Sequence, residues 1–255
     1  MKENRMKRKL ANGEFVIGTW IRNLRSSYLV HMIAQNGFDF VYIDMEHSSM
    51  DLGTVADLCF AAQLSGIVPI VRPSGKLPHL VSKPLDCGAM GLLIPHVDTA
   101  EEAREVVRHA KYHPLGERGM NLAGIHTGFS APDGQHFIDT MNREIILIVQ
   151  LESKMGIDNI DAILAVEGID GAVIGRSDLS QDLNVAGQTN HPQVIACVER
   201  MIEACKTHGA YSGLLTKDVK SARQWIGKGI QIVPVGNATG LLMKAYKEIV
   251  AGLRG

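Results

Sequence analysis

The chain has 255 residues, and its 26 lysines and arginines nearly balance its 27 aspartates and glutamates, leaving a net charge of −1. That balance gives neither the basic stripe of a nucleic-acid surface nor a polybasic membrane contact, and no apolar run approaches the ~20 residues of a membrane span. Small-molecule chemistry is the class that remains.

The opening residues are basic (Arg5, Lys7, Arg8, Lys9), but no apolar stretch of signal-peptide length follows, so a cytoplasmic location is expected. Strand candidates, apolar and β-branched, fall at 14–20, 38–44, 68–72, 90–95, 145–151, 170–175, 210–215 and 230–235. Segments of helical periodicity follow them at 28–36, 52–64, 77–86, 99–110, 156–166, 192–207, 217–227 and 240–252. Eight strands alternating with eight helices predict a (β/α)8 barrel, with no linker dividing residues 1–255. Asp98, with Glu101 three residues on, is the expected cap of the helix at 99–110. The irregular stretch 111–144 exceeds an ordinary loop and predicts an insertion with short helices or a subunit contact. Cys59, Cys87, Cys197 and Cys205 form no C-x-x-C pair, so neither a disulfide framework nor a thiolate zinc site is expected.

In such a barrel the C-terminal ends of the strands converge on one face, where side chains read as catalytic. The ends here carry Arg22 and Arg25, then Asp44, Glu46 and His47, then Arg72, then Pro95 and His96. Gln150 and Glu152 follow the fifth strand; Gly175, Arg176, Ser177 and Asp178 follow the sixth; Gly236 and Asn237 follow the eighth. An apolar strand has no structural use for the ionisable cluster Asp44-Met45-Glu46-His47, because burying charge is costly unless it is paired or metal-bound.

Glu152 and Asp178 are the metal candidates. Two carboxylates with positions left for water and substrate oxygens suit Mg²⁺ or Mn²⁺ better than zinc. Either alone is more often a cap or an ion-pair member. The planar fork of Arg72 suits a carboxylate or enolate oxygen, and a salt bridge to Asp44 or Glu46 is compatible with that role. His47 is the natural general base, with an unperturbed pKa near ~6.5. Asp44 and Glu46 are expected to orient metal waters, His47 or Arg72. His109 and His113 read as a solvated helix face, and Gly236-Asn237-Ala238-Thr239-Gly240 as either a phosphate cradle or a plain turn and cap.

The blocks Gly37-Phe38-Asp39, Ile43-Asp44-Met45-Glu46-His47, Val71-Arg72-Pro73, Leu85-Asp86-Cys87-Gly88-Ala89, Gly116-Glu117-Arg118-Gly119, Gln150-Leu151-Glu152 and Ser177-Asp178-Leu179-Ser180, taken in order, closely resemble the HpcH/HpaI family of metal-dependent 2-oxo-acid aldolases. The resemblance implies that Glu152 and Asp178 hold the divalent cation and that Arg72, Gln150 and Ser177 address the 2-oxo acid. It also implies that His47 and Asp86 form an acid/base dyad. A homohexamer built from dimers that exchange a C-terminal helix is implied as well. The implied reaction forms or cleaves a 4-hydroxy-2-oxo acid through a pyruvate-type enolate, with a second carbonyl compound as partner.

The chain departs from the family pattern at Ile21-Arg22-Asn23-Leu24-Arg25, at Gly175-Arg176 in place of Gly-Pro, and at Ala238 in place of an acid. The extra arginines Arg22, Arg25 and Arg176 suggest a ligand with several carboxylates, or intersubunit salt bridges. The same family includes a staphyloferrin B type citrate synthase branch of siderophore biosynthesis, and the alternative function is condensation of oxaloacetate with acetyl-CoA on the same metal site. A non-catalytic carboxylate-binding barrel is the third reading, and the intact Glu152, Asp178, Arg72, His47 and Asp86 weigh against it.

Overall fold

The computed structural model describes residues 3–130 and 133–254. Eight strands close into a barrel: β1 (Val16–Ile21), β2 (Phe40–Asp44), β3 (Val68–Arg72), β4 (Gly91–Ile94), β5 (Ile146–Leu151), β6 (Gly171–Ile174), β7 (Tyr211–Leu214) and β8 (Ile232–Asn237). Each strand pairs in parallel with the next, and β8 pairs with β1 to remove the edges. The helices are α1 (Arg5–Ala11), α2 (Ser27–Gln35), α3 (Leu52–Ser65), α4 (Pro78–Asp86), α5 (Ala100–Ala110), α6 (Gly134–Glu144), α7 (Lys154–Asp158), α8 (Ile160–Leu164), α9 (Arg176–Asp182), α10 (Pro192–His208), α11 (Val219–Ile226) and α12 (Ala238–Arg254).

Strand alternation divides the core in two. Phe40 and Tyr42, Val68 and Ile70, and Ile146 and Ile148 fill the barrel interior, while Val41, Ile43, Val71, Leu147 and Val149 pack outward against the helices. The interior is a solid layer of side chains. Gly18 is needed there because a Cβ would come within 2.3 Å of the Phe40 ring. Helix α1 closes the N-terminal end of the barrel by inserting Met6 and Leu10 into the interior cluster. Asn4 anchors it, donating to the carbonyls of Met90 (3.1 Å) and Glu144 (2.9 Å). With that end sealed, the opposite end carries the chemistry.

The same parity that aims Phe40, Ile70 and Ile148 inward carries on to Asp44, Arg72, Gln150 and Glu152, which therefore converge at the mouth. Several local expectations are revised. Thr99, one residue later than expected, caps α5 by accepting from the Glu102 amide at 3.2 Å, and Glu102 in turn accepts from the Asp98 amide at 2.7 Å. The segment expected as one helix over 156–166 breaks into α7 and α8 at Asn159, whose side-chain amide donates to the Asp98 carbonyl at 2.8 Å. Helices α1 and α9 were not anticipated; each is only seven residues long and has too few turns to show a periodic apolar stripe. The insertion 111–144 holds a short 3-10 turn at Ile125–Thr127 and α6, and its residues 131 and 132 lie outside the described residues. At the end of β8, Asn237 accepts from the Gly240 amide at 2.8 Å and so caps the start of α12.

Helix α12 does not lie back on the barrel as the other long helices do. Its main contacts are with β1 and β8, and Leu241, Leu242, Met243, Tyr246, Ile249, Val250 and Leu253 are exposed. No helix among the described residues is long and apolar enough to cross a membrane.

Candidate active site

Asp44 is the electrostatic hub of the mouth. Its carboxylate is fully buried and accepts two hydrogen bonds from Arg72, Nε to Oδ1 at 2.9 Å and Nη2 to Oδ2 at 2.7 Å. Oδ1 also accepts from the amides of Glu46 (3.1 Å) and His47 (3.3 Å), and Arg22 Nε lies 2.8 Å from Oδ2. Burial alone would raise the Asp44 carboxyl, but the hydrogen bonds and charge of Arg72, the His47 amide and the charge of Arg22 outweigh it and hold the group below its usual value.

Arg72 is almost wholly buried and stacks on Trp20, its Cζ 4.5 Å from the ring centroid, while Arg22 stands over the same ring at 5.2 Å. Nη1 of Arg72 pairs with Glu46 Oε2 at 2.8 Å. Nε and Nη2 are hydrogen-bonded to Asp44 and Nη1 is in ionic contact with Glu46, while the guanidinium still lines the cavity, where its remaining N–H groups can meet a ligand. The salt bridges and the ligand role are thus compatible.

Across the mouth, Glu152 is 4% exposed and accepts from Gln150 Nε2 and from the His96 amide, the latter at 3.2 Å. Burial pushes its carboxyl up to about 7; His96 and Gln150 oppose the rise, while the charges of Glu46 and Asp178 add to it. Glu46 and Glu152 are bridged by the His96 imidazole, and Asp178 is near enough for its charge to act on Glu152. Gly175 makes room for Glu152, since a Cβ there would lie 2.3 Å from Glu152 Oε1. Gln150 Oε1 is buried without a hydrogen-bond partner. Glu46, His96 and Glu152 present ligand atoms within 4.8 Å of one another, an arrangement able to hold a metal ion.

A cavity of about 550 Å³ opens in front of these groups, with His47, Arg72, Gln150, Ser177 and Asp178 in its lining. Matching this geometry, the model of the HpcH/HpaI aldolase/citrate lyase family fits residues 17–245. The chain belongs to the HpcH/HpaI aldolase/citrate lyase family. A hydroxypyruvate/pyruvate aldolase of Roseobacter denitrificans is 36% identical over 249 residues, covering 97% of this chain and 96% of the relative. The solved HpcH/HpaI aldolase of Desulfitobacterium hafniense superposes with a TM-score of 0.94 at 33% identity, covering 97% of this chain and 96% of the other. Citrate synthase SbnG superposes with a TM-score of 0.88 at 31% identity, with the same two coverages. This HpcH/HpaI barrel is an enzyme of the lyase type.

Two of the expected site residues lie apart from the others in this HpcH/HpaI barrel. Asp86 ends α4, which runs back toward the sealed face, and its Oδ1 accepts from Arg118 Nη2 at 2.7 Å. Its ion-pair partner is Arg118 and not His47; the acid paired with the His47 imidazole is Glu46, with Nε2 3.8 Å from Oε2. Arg25 is exposed and bound to Ser49 through its carbonyl and hydroxyl, outside the cavity lining. His96, one of the strand-end residues but with no role expected from the sequence, joins the two acidic groups: Nε2 lies 3.0 Å from Glu46 Oε1 and Nδ1 lies 3.2 Å from Glu152 Oε2. Its φ of +53° turns the ring across the mouth. A left-handed residue at a strand end leaves no periodic signal, so alternation along the strand could not have found it.

Proposed function

We propose that this barrel is a divalent-metal-dependent carbon–carbon lyase that forms or cleaves a 4-hydroxy-2-oxo acid through a pyruvate-type enolate. The observation that carries the reading is the meeting of Asp178, Arg72 and Gln150 in the lining of one cavity, with Glu152 buried against Gln150 and Glu46 paired with Arg72. The donor set fits a hard cation. Glu152 is buried against the Gln150 amide and the His96 backbone N–H and imidazole, and the missing Cβ of Gly175 leaves space in front of its Oε1. Glu152 and Asp178 would hold Mg²⁺ or Mn²⁺, with Glu46 and His96 beside them. When bound, the cation supplies Lewis acidity that favours the enolate over the ketone.

The chain's own groups do the rest. Arg72, immobilised by Asp44, Glu46 and Trp20, directs its free N–H groups at the substrate's carbonyl oxygen and stabilises the negative charge that grows there. Gln150 and Ser177 orient the carboxylate of the 2-oxo acid. His47, half exposed at the rim, takes a proton from the donor carbon in the forming direction or from the 4-hydroxyl of the acid being cleaved. On this reading Asp86 assists His47 from another copy of the chain, in a homo-oligomer that uses α12 as its exchanged element. We assign the enzyme to the cytoplasm.

Citrate-forming condensation of oxaloacetate with acetyl-CoA is the second reading, favoured by the likeness to citrate synthase SbnG. One experiment separates the two. Exchange of the C3 protons of pyruvate in D₂O, stimulated by Mg²⁺ or Mn²⁺ and lost in Glu152→Ala, supports the lyase. Release of free CoA from oxaloacetate and acetyl-CoA, with pyruvate inert, establishes the condensing enzyme. Inactivity in both assays refutes both.

A further inference from the structure

The arginines around the mouth differ in one respect. Arg72 is neutralised by Asp44 and Glu46, Arg22 is paired with Asp44, and Arg25 is bound to Ser49 outside the cavity. Arg176, which leads from β6 into α9, has no acid. Nη1 donates to Asn190 Oδ1 at 3.2 Å and Nη2 to the Leu215 carbonyl at 2.9 Å, both neutral acceptors. Among the described residues no carboxylate lies within ion-pairing distance of it, and burial alone lowers its pKa. It nevertheless lines the cavity, where Thr189, Thr216 and Lys217 extend the same wall without an acid.

Of the acids at the mouth only Asp178 lines the cavity, and the lining also carries Arg176 and Lys217, neither of which is paired with an acid among the described residues. At about 550 Å³ it is also much roomier than a three-carbon acid requires. A partly buried guanidinium held by two neutral acceptors is pre-oriented, keeps donors free, and lacks only its counter-charge. A neutral substrate arm would leave it uncompensated, so the wall discriminates against such substrates as well as attracting anionic ones.

We propose that Arg176 is a specificity-determining residue that binds a second anionic group, a carboxylate or a phosphate, at the far end of the acceptor half of the substrate. The proposal rests on the lyase reading for the identity of the other half. Asn190 and the Leu215 carbonyl act as positioning groups that aim the fork into the cavity.

The test compares three acceptor aldehydes with pyruvate in the metal-loaded enzyme: 4-oxobutanoate with a terminal carboxylate, glycolaldehyde phosphate, and uncharged butanal. In Arg176→Gln the ratio of kcat/KM for the preferred anionic acceptor to that for butanal falls about 10- to 100-fold, mainly through KM. Arg176→Lys retains part of the preference. The anionic acceptor whose ratio falls further identifies the group. Because each ratio is taken within one variant, a general loss of folded enzyme cancels. If neither ratio moves, the proposal is wrong.

A binding arm keeps the result separate from the fate of the lyase reading. Calorimetric titration of the metal-loaded protein with glutarate and with butyrate shows a preference for the dianion that Arg176→Gln removes. That outcome supports the anion site even if no aldehyde turns over. Equal affinity of the wild type and the variant for glutarate overturns it.

Discussion

Asp44→Asn removes one charge and almost no volume, and its effect can be worked from the geometry. The wild-type carboxylate is fully buried, accepts twice from the buried Arg72 and pairs with Arg22 at 2.8 Å. Removing one partner of a buried pair costs ~3–5 kcal/mol, because the other charge is left uncompensated. Arg22 is about a third exposed, so its share is largely screened, and Arg72 keeps Glu46 at 2.8 Å. The low end, about 3 kcal/mol, is therefore expected. Urea unfolding at pH 7.5 should show a lower midpoint at an unchanged slope. The pH dependence has a definite sign. The folded-state carboxyl titrates below its ordinary value of 3.8, so the stability it contributes is fully present above that value and is lost as the pH falls through the lower folded value. The gap between wild type and variant should be constant from about pH 8 to 5 and close below about pH 4. A gap under ~1 kcal/mol at pH 7.5, or one that persists undiminished in acid, would refute Asp44 as the hub.

Gly175→Ala would place a Cβ 2.3 Å from Glu152 Oε1, and the carboxylate must move. Activity should fall at least about tenfold, with weaker Mg²⁺ dependence in a metal titration, while the melting temperature changes little; full activity would show that Glu152 does not need its present position. Mixing inactive His47→Ala with inactive Asp86→Ala should restore part of the activity after subunit exchange if Asp86 serves a neighbouring site. No recovery under conditions where labelled subunits exchange would exclude that role. A chain ending at Ala238 loses the exposed apolar face of α12 and should sediment as a smaller species than the full chain; an unchanged sedimentation coefficient would place the subunit contacts elsewhere.

Much of the mouth could be read from strand parity. Phe40 and Tyr42 lead to Asp44, Val68 and Ile70 to Arg72, and Ile146 and Ile148 to Gln150 and Glu152, because side chains two apart share a face. That rule works only while the backbone stays extended. At His96 it fails, since a positive φ swings the imidazole onto Glu46 and Glu152. At α9 it does not apply, and a seven-residue helix carries Asp178 toward Glu152 and Arg176 toward the opposite wall. Parity also says nothing about which charges cancel. Of the three extra arginines, Arg22 is consumed by Asp44, Arg25 faces Ser49, and Arg176 alone remains uncompensated in the cavity.

The apolar run of β2 into Asp44, Glu46 and His47 is plainly visible in the sequence, and its division of labour is not. Local pattern determined the eight strands, their order and the face on which the polar ends meet, because hydrophobic periodicity and strand-end chemistry are short-range properties. Only the closed barrel decided that Asp44 and Glu46 grip Arg72 from neighbouring strands. It also decided that His96 joins Glu46 to Glu152, and that Asp86 pairs with Arg118. Those outcomes depend on distances between residues tens of positions apart, and such distances exist only once parallel strands have been brought into register and the ring has closed.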